Sequence, residues 1–330
     1  MTQYPSILPH IDRQYKWLIT SAGGFIGSHL TEALLSLGQK VTGLDNFSTG
    51  YRHNISMAVN ASGYPDNFTL IEGGIEDSGV CAEAVKGADY VLHHAAFVSV
   101  PASMKDPVKC FNDNASGFIN VLEAARLNGV KRVIYATSSA VYGDNETMPK
   151  TESDMGKSLS PYALTKYINE ICAEFYTRVY GVECAGLRYF NVFGVRQDPK
   201  GAYAAVIPKW IEAVTSGNIP VIYGDGNQSR DFCAVQNVVK ANILAALNPD
   251  SAGKIFNIGC GVETTLNDLL AEIYSVFAPG KNPQAIYEPA REGDILRSSA
   301  CIEYARNVLK YEPAIYLHDG LMIMRGVMLQ

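Results

Sequence analysis

The sequence predicts an α/β fold, a doubly wound parallel sheet with a second, smaller α/β lobe. Three observations carry this. Short apolar runs alternate with segments of helical periodicity up to Arg188, a glycine-rich turn follows the first run, and a hydroxyl-rich stretch ends the fifth. Residues 17–20 form the first strand, followed by a helix over 25–37. Strands two to four are expected at 41–44, 68–71 and 90–93. A helix over 114–127 rests on apolar residues at 118, 119, 121, 122 and 125, the fifth strand covers 132–136, a long helix spans 162–180, and the sixth strand covers 184–187. Strand–helix–strand spacing of this kind builds crossovers, which place helices on both faces of a parallel sheet.

Beyond Arg188 the pattern loosens into glycine and proline clusters at 199–208, 217–226 and 279–294. The expected division is a dinucleotide-binding, Rossmann-like domain over 1–188, also receiving about 231–258, and an interleaved lobe over 189–330.

Composition narrows the class. The 330 residues are 47% apolar and 18% charged with a net charge of −6, enough for a sizeable core and without the basic excess of a nucleic-acid partner. No apolar run approaches the roughly 18 residues of a membrane span, and the first residues lack a secretory pattern. Seven scattered cysteines without Cys-x-x-Cys spacing read as reduced thiols, with no metal site. A cytoplasmic protein with neither nucleic acid nor membrane as partner is expected.

The first strand runs into Ser21-Ala22-Gly23-Gly24-Phe25-Ile26-Gly27. A glycine turn between strand and helix lets backbone approach a pyrophosphate at the helix N-terminus. Asp45 closes the second strand 21 residues after Gly24, where a carboxylate accepts from an adenosine ribose and repels a 2′-phosphate, favouring NAD over NADP. Ser21 stands where the first glycine of Gly-x-x-Gly-x-x-Gly belongs, so a crowded turn or an unfavourable backbone conformation is expected there.

Tyr162 and Lys166 lie four apart near a helix start and project from one face. With 19 tyrosines such a pair arises about once by chance. Position gives it meaning, because Thr137-Ser138-Ser139 ends the fifth strand at the carboxyl edge, where doubly wound folds bind ligands. A nearby ammonium and an oxidised nicotinamide favour the phenolate, making tyrosine a usable base. Ser139 is the expected partner that holds a substrate hydroxyl and shares the proton.

These segments resemble the extended short-chain dehydrogenase/reductases, and within them the bacterial UDP-N-acetylhexosamine 4-epimerases. Gly24-Phe25-Ile26-Gly27, Asp45-Asn46-Phe47-Ser48-Thr49-Gly50, Tyr162-Ala163-Leu164-Thr165-Lys166, Arg188 to Gly194 and Ser229-Arg230-Asp231-Phe232 carry the resemblance, with the stretch from Arg196 to Pro208 the most subgroup-specific. It implies C4 epimerisation of UDP-GlcNAc and UDP-GalNAc through a 4-keto sugar, with NAD as cofactor. Tyr162, Lys166 and Ser139 are then catalytic. Gly24, Phe25, Ile26, Gly27, Asp45, Asn46, Ser48, Thr49, Gly50 and Ile75, with Tyr162 and Lys166, hold the cofactor. Ser138, Ser139, Asn191, Arg230, Arg291, Asp294 and Ser298 hold the UDP-sugar, a small residue at 298 leaving room for an N-acetyl group. The resemblance also implies a homodimer through the helices around 114–127 and 161–180.

The dehydratases and decarboxylases of the same family carry carboxylates after strand five, where Ser138-Ser139-Ala140 has none. A UDP-GlcNAcA or UDP-Glc epimerase remains an alternative, and so does a non-catalytic nucleotide-sugar binder. The sequence departs from the family at Gly74, where an aspartate is usual in Gly-Asp-Ile/Val, at Cys301, and at Val98 and Ala102.

Overall fold

A computed structural model describes residues 4, 6–199, 205–290 and 295–329. Seven parallel strands form its sheet: β1 (Lys16–Thr20), β2 (Lys40–Asp45), β3 (Phe68–Glu72), β4 (Tyr90–His93), β5 (Arg132–Ser138), β6 (Cys184–Tyr189) and, late in the chain, β11 (Lys254–Ile258). Their order is β11-β6-β5-β4-β1-β2-β3. The chain reverses direction across the sheet between β1 and β4, which opens a crevice at the carboxyl ends of those strands. The inner strands β4 and β6 are buried throughout, as expected of strands covered on both faces.

The helices of this half are α1 (Phe25–Ser36), α2 (Arg52–Ser62), α3 (Ser78–Val85), the short α4 (Val100–Lys105) and α5 (Pro107–Phe111), then α6 (Gly117–Leu127) and α7 (Pro161–Tyr180). The helix expected over 114–127 opens with a π turn at Asn112–Ser116. Asn114, buried in that turn, accepts from the Phe97 N–H at 2.6 Å and donates to Thr165 Oγ1 at 2.9 Å, so it ties the segment after β4 to α7. Local chemistry sets the ends of α7. Ser160 accepts from the Ala163 N–H at 3.1 Å, Pro161 takes the first turn, and Gly181 stops the helix in the left-handed conformation.

The remaining elements are β7 (Val192–Phe193), α8 (Val206–Thr215), β8 (Val221–Tyr223), β9 (Ser229–Arg230), β10 (Cys233–Ala234), α9 (Val235–Leu247), β12 (Thr264–Thr265), α10 (Leu266–Phe277), β13 (Ile286–Glu288), β14 (Arg297–Ser298), α11 (Glu303–Leu309) and α12 (Leu317–Met328). They divide between two cores. Val238, Val239 and Ile243 of α9, with Ala305 and Leu309 of α11, pack with Phe256 and Ile258 of β11 in the core beside the sheet. Trp210, Ile222, Phe232, Leu269, Ile273 and Leu321 form a separate core for the second lobe. Val192 and Cys233 pack with the first core and Phe193 and Ala234 with the second, so β7 and β10 bridge the two.

Candidate active site

The floor of the site is the turn after β1. Ser21 takes φ = +60°, the left-handed conformation a first glycine would adopt freely, and its carbonyl accepts from the Gly24 N–H at 3.0 Å. The departure at Ser21 is thus met by backbone strain, worth about 1–2 kcal/mol. Gly27 admits no substitute, because a Cβ there would lie 1.9 Å from the Ser21 carbonyl oxygen. Gly24 begins α1 with no side-chain cap, so the helix N-terminus is offered to a ligand. Phe25 and Ile26 line the cavity above it.

Asp45 ends β2 with its carboxylate anchored by the Gly23 N–H at 2.8 Å and the Phe47 N–H at 2.7 Å. It lines a small cavity with Asn46, Ser48, Thr49 and Ile75. The Ser48 N–H donates to Asn46 Oδ1 at 3.0 Å, which shapes this loop. Gly50 lines neither cavity. A Cβ there would come within 2.9 Å of the Asp45 carboxylate, so Gly50 lets the loop close against that acid.

Tyr162 and Lys166 project from α7 over the carboxyl end of β5. Lys166 Nζ donates to the Ala136 carbonyl at 2.9 Å and lies 5.9 Å from the Tyr162 ring centre. Burial pushes the Lys166 ammonium down to about 8. Burial also raises the Tyr162 phenol, and the neighbouring Ser138 hydroxyl opposes that rise. Ser138 and Ser139 both line the cavity with Tyr162. β5 runs two residues beyond its expected end, so Ser138 is its last residue. Ser139 opens a 3₁₀ turn capped by the Ser138 side chain, which accepts from the Ala140 N–H at 3.1 Å. Below them, Glu170 of α7 pairs with Arg188 of β6 at 2.8 Å and accepts from Thr137 Oγ1 at 2.8 Å, locking the strand end to the helix.

One cavity of about 580 Å³ joins these groups: the turn from Gly24 to Gly27, Thr49, Ser138, Ser139, Tyr162, Lys166, Asn191, Arg230 and Ser298. Arg230 and Ser298 sit side by side because β9 and β14 pair in that register. Asn191 and Arg230 also line an adjoining cavity of about 440 Å³ walled by Trp210, Tyr223 and Phe232. Arg291 and Asp294, expected on the UDP-sugar, lie outside the described residues. Sequence reasoning missed His94 and Gln197, which line the main cavity. His94 Nε2 is held by Tyr189 Oη at 2.9 Å. Its position directly after β4, at the carboxyl edge of the sheet, was the signal available for it.

Residues 17–259 match the NAD dependent epimerase/dehydratase family. The chain belongs to that family. It is 37% identical over 306 residues to a putative UDP-glucose 4-epimerase of Methanocaldococcus jannaschii, covering 92% of this chain and 95% of the relative. Among solved structures, the UDP-N-acetylglucosamine 4-epimerase of Methanobrevibacter ruminantium in complex with UDP-N-acetylmuramic acid superposes with a TM-score of 0.88 at 36% identity, covering 96% of this chain and 99% of that one. The UDP-glucose 4-epimerase of Thermus thermophilus in complex with NAD gives 0.83 at 32% identity, covering 94% and 98%.

The residues of this epimerase/dehydratase family member fit NAD. The uncapped helix start suits a pyrophosphate. The Asp45 carboxylate beyond it suits a ribose diol, and the neighbouring cavity, which shares Ser21, Thr49 and Ala96 with this one, reaches Tyr162 and Lys166. Among the described residues no helix is long and apolar enough to cross a membrane.

Proposed function

We propose that the chain is a UDP-N-acetylhexosamine 4-epimerase, interconverting UDP-GlcNAc and UDP-GalNAc. The observation that carries this reading is the single cavity that brings Ser138, Ser139, Tyr162 and Lys166 together and runs from the glycine turn to Arg230, with Lys166 Nζ 5.9 Å from the Tyr162 ring centre. Bound NAD supplies a hydride acceptor that also gives the hydride back. The chain supplies the acid–base chemistry. Tyr162 takes the proton of the sugar O4, and Ser138 holds that oxygen. The ammonium of Lys166, about 6 Å from the ring, favours the phenolate. After the 4-keto sugar turns over in the cavity, Tyr162 returns the proton. No carboxylate lines the cavity around Ser138 and Ser139 among the described residues, so neither elimination of water nor decarboxylation has an evident catalyst.

Asn191 and Arg230 hold the UDP portion, joined by Arg291 and Asp294. Around the sugar the described wall is neutral: Val98, Val100, Gln197, Ile295 and Ser298. A neutral hexosamine suits that wall better than a uronate, whose carboxylate needs a cation. Ser298 leaves space for an acetamido group. The protein acts as a homodimer formed through α6 and α7.

A coupled assay across UDP-GlcNAc, UDP-Glc and UDP-GlcNAcA tests the reading, with UDP-GlcNAc expected to give the highest kcat/KM. Tyr162→Phe is expected to abolish turnover and leave UDP-sugar affinity within a few-fold. Turnover retained in that variant, or a preference for the uronate, overturns the proposal.

A further inference from the structure

Gly74 follows β3 in the small cavity that holds Asp45, and its own φ does not require glycine. The space a side chain would take there is held by the exposed Glu76. A Cβ built on Gly74 would lie 2.1 Å from both Glu76 carboxylate oxygens. The glutamate has folded back over residue 74 and placed its charge in the space that a side chain at 74 would fill.

The cavity has three acidic lining residues, Asp45, Glu76 and Asp113, and no basic one. Two of the carboxylates are engaged. Asp45 accepts from the Gly23 and Phe47 N–H groups, and Asp113 pairs with Lys109 at 2.7 Å. Among the described residues the Glu76 carboxylate has neither an ion pair nor a side-chain hydrogen bond. It is the acceptor left for a donor carried by a ligand. Asp45 marks this cavity as the place of the adenosine half of the dinucleotide. The donor that a purine presents beyond its ribose is the exocyclic amine of adenine.

We propose that Glu76 is the residue by which this chain selects adenine, accepting a hydrogen bond from the 6-amino group in place of a side chain at position 74. The inference rests on the NAD-dependent reading of the site. A carboxylate accepting from an amine makes a charge-assisted bond. A hypoxanthine ring carries a carbonyl oxygen at that position and turns attraction into repulsion. Glu76 lies one residue before the α3 cap, Asp77, whose carboxylate holds the Gly79 and Val80 N–H groups, so substitution at 76 leaves the cap in place.

The test is competitive uptake. The protein is equilibrated with equimolar NAD and nicotinamide hypoxanthine dinucleotide, the unbound nucleotide is removed, and the bound pair is released by denaturation and separated. Wild type is expected to retain NAD over the analogue by about tenfold. Glu76→Ala is expected to retain both within about twofold of each other, with the analogue gaining where NAD loses. Gly74→Asp combined with Glu76→Ala, which moves the carboxylate to the vacated position, is expected to restore the preference. An unchanged ratio in Glu76→Ala overturns the inference and leaves the proposed function standing. A wild-type protein that takes up neither dinucleotide overturns both.

Discussion

The phenol of Tyr51 donates to Asp198 Oδ2 at 2.6 Å, joining the loop after β2 to the segment after β7 across 147 positions of sequence. The first segment carries Thr49 and the second Gln197, and both line the main cavity. The bond is therefore a clasp over the crevice between the glycine turn and the second lobe. It is exposed, so its net worth is about 0.5–1.5 kcal/mol.

Tyr51→Phe removes this clasp and no atom from the cavity. The expected outcome is release of bound NAD between about twofold and tenfold faster, with the rate of the chemical step unchanged. Stopped-flow fluorescence of NADH release, set beside single-turnover epimerisation, separates the two. Equal release rates in wild type and variant would show that the bond does not hold the crevice closed.

A second prediction concerns the paired serines. Ser138→Ala is expected to lower kcat by about 10²-fold or more with little change in KM, because it removes a proton-transfer partner of Tyr162. Ser139→Ala, which leaves the Ser138 hydroxyl in place, is expected to lower kcat by less than tenfold. Steady-state kinetics on both variants decides the assignment, and the reverse order would return the role to Ser139.

That pair also shows how far the sequence could be read. The glycine turn, Asp45, the six strands up to 189 and the Tyr162–Lys166 helix were legible because each follows from local periodicity or spacing. Choosing between two adjacent hydroxyls needs the strand's true end, and boundaries are set by tertiary packing. Here Thr137 is tied to Glu170, which extends β5 to Ser138. Glu76 was not legible either, since its carboxylate reaches residue 74 only through the backbone turn after β3. The strain at Ser21, by contrast, was foreseeable from the missing glycine alone.

The outer face of α7 supplies a third prediction. Leu164, Tyr167, Ile171 and Phe175 recur at three- and four-residue spacing, and each is 38–50% exposed. Ile119 on the neighbouring α6 adds to the same kind of surface. An unbroken apolar stripe of this length favours pairing with a second copy. Light scattering is expected to give a dimer for the wild type and a monomer for Ile171→Glu with Phe175→Glu. A monomeric wild type at micromolar concentration would remove the proposed homodimer.

Lys166 ties catalysis to stability. Its ammonium is buried, and burial lowers it from 10.5 to about 8. Between these values the unfolded chain holds a proton that the folded chain has lost, so raising the pH over this window favours the folded state. Below about 8 both states carry the charge and the full desolvation cost is present. Lys166→Met has no such group. The stability of wild type relative to this variant is therefore expected to be flat below pH 8, then to rise by about 1.4 kcal/mol per pH unit above it. Urea unfolding of both proteins from pH 7 to 9.5 measures the difference and cancels the other groups they share. A gap that does not change across that range would mean Lys166 keeps an ordinary affinity for its proton, and the ammonium beside Tyr162 would then be in place at every working pH.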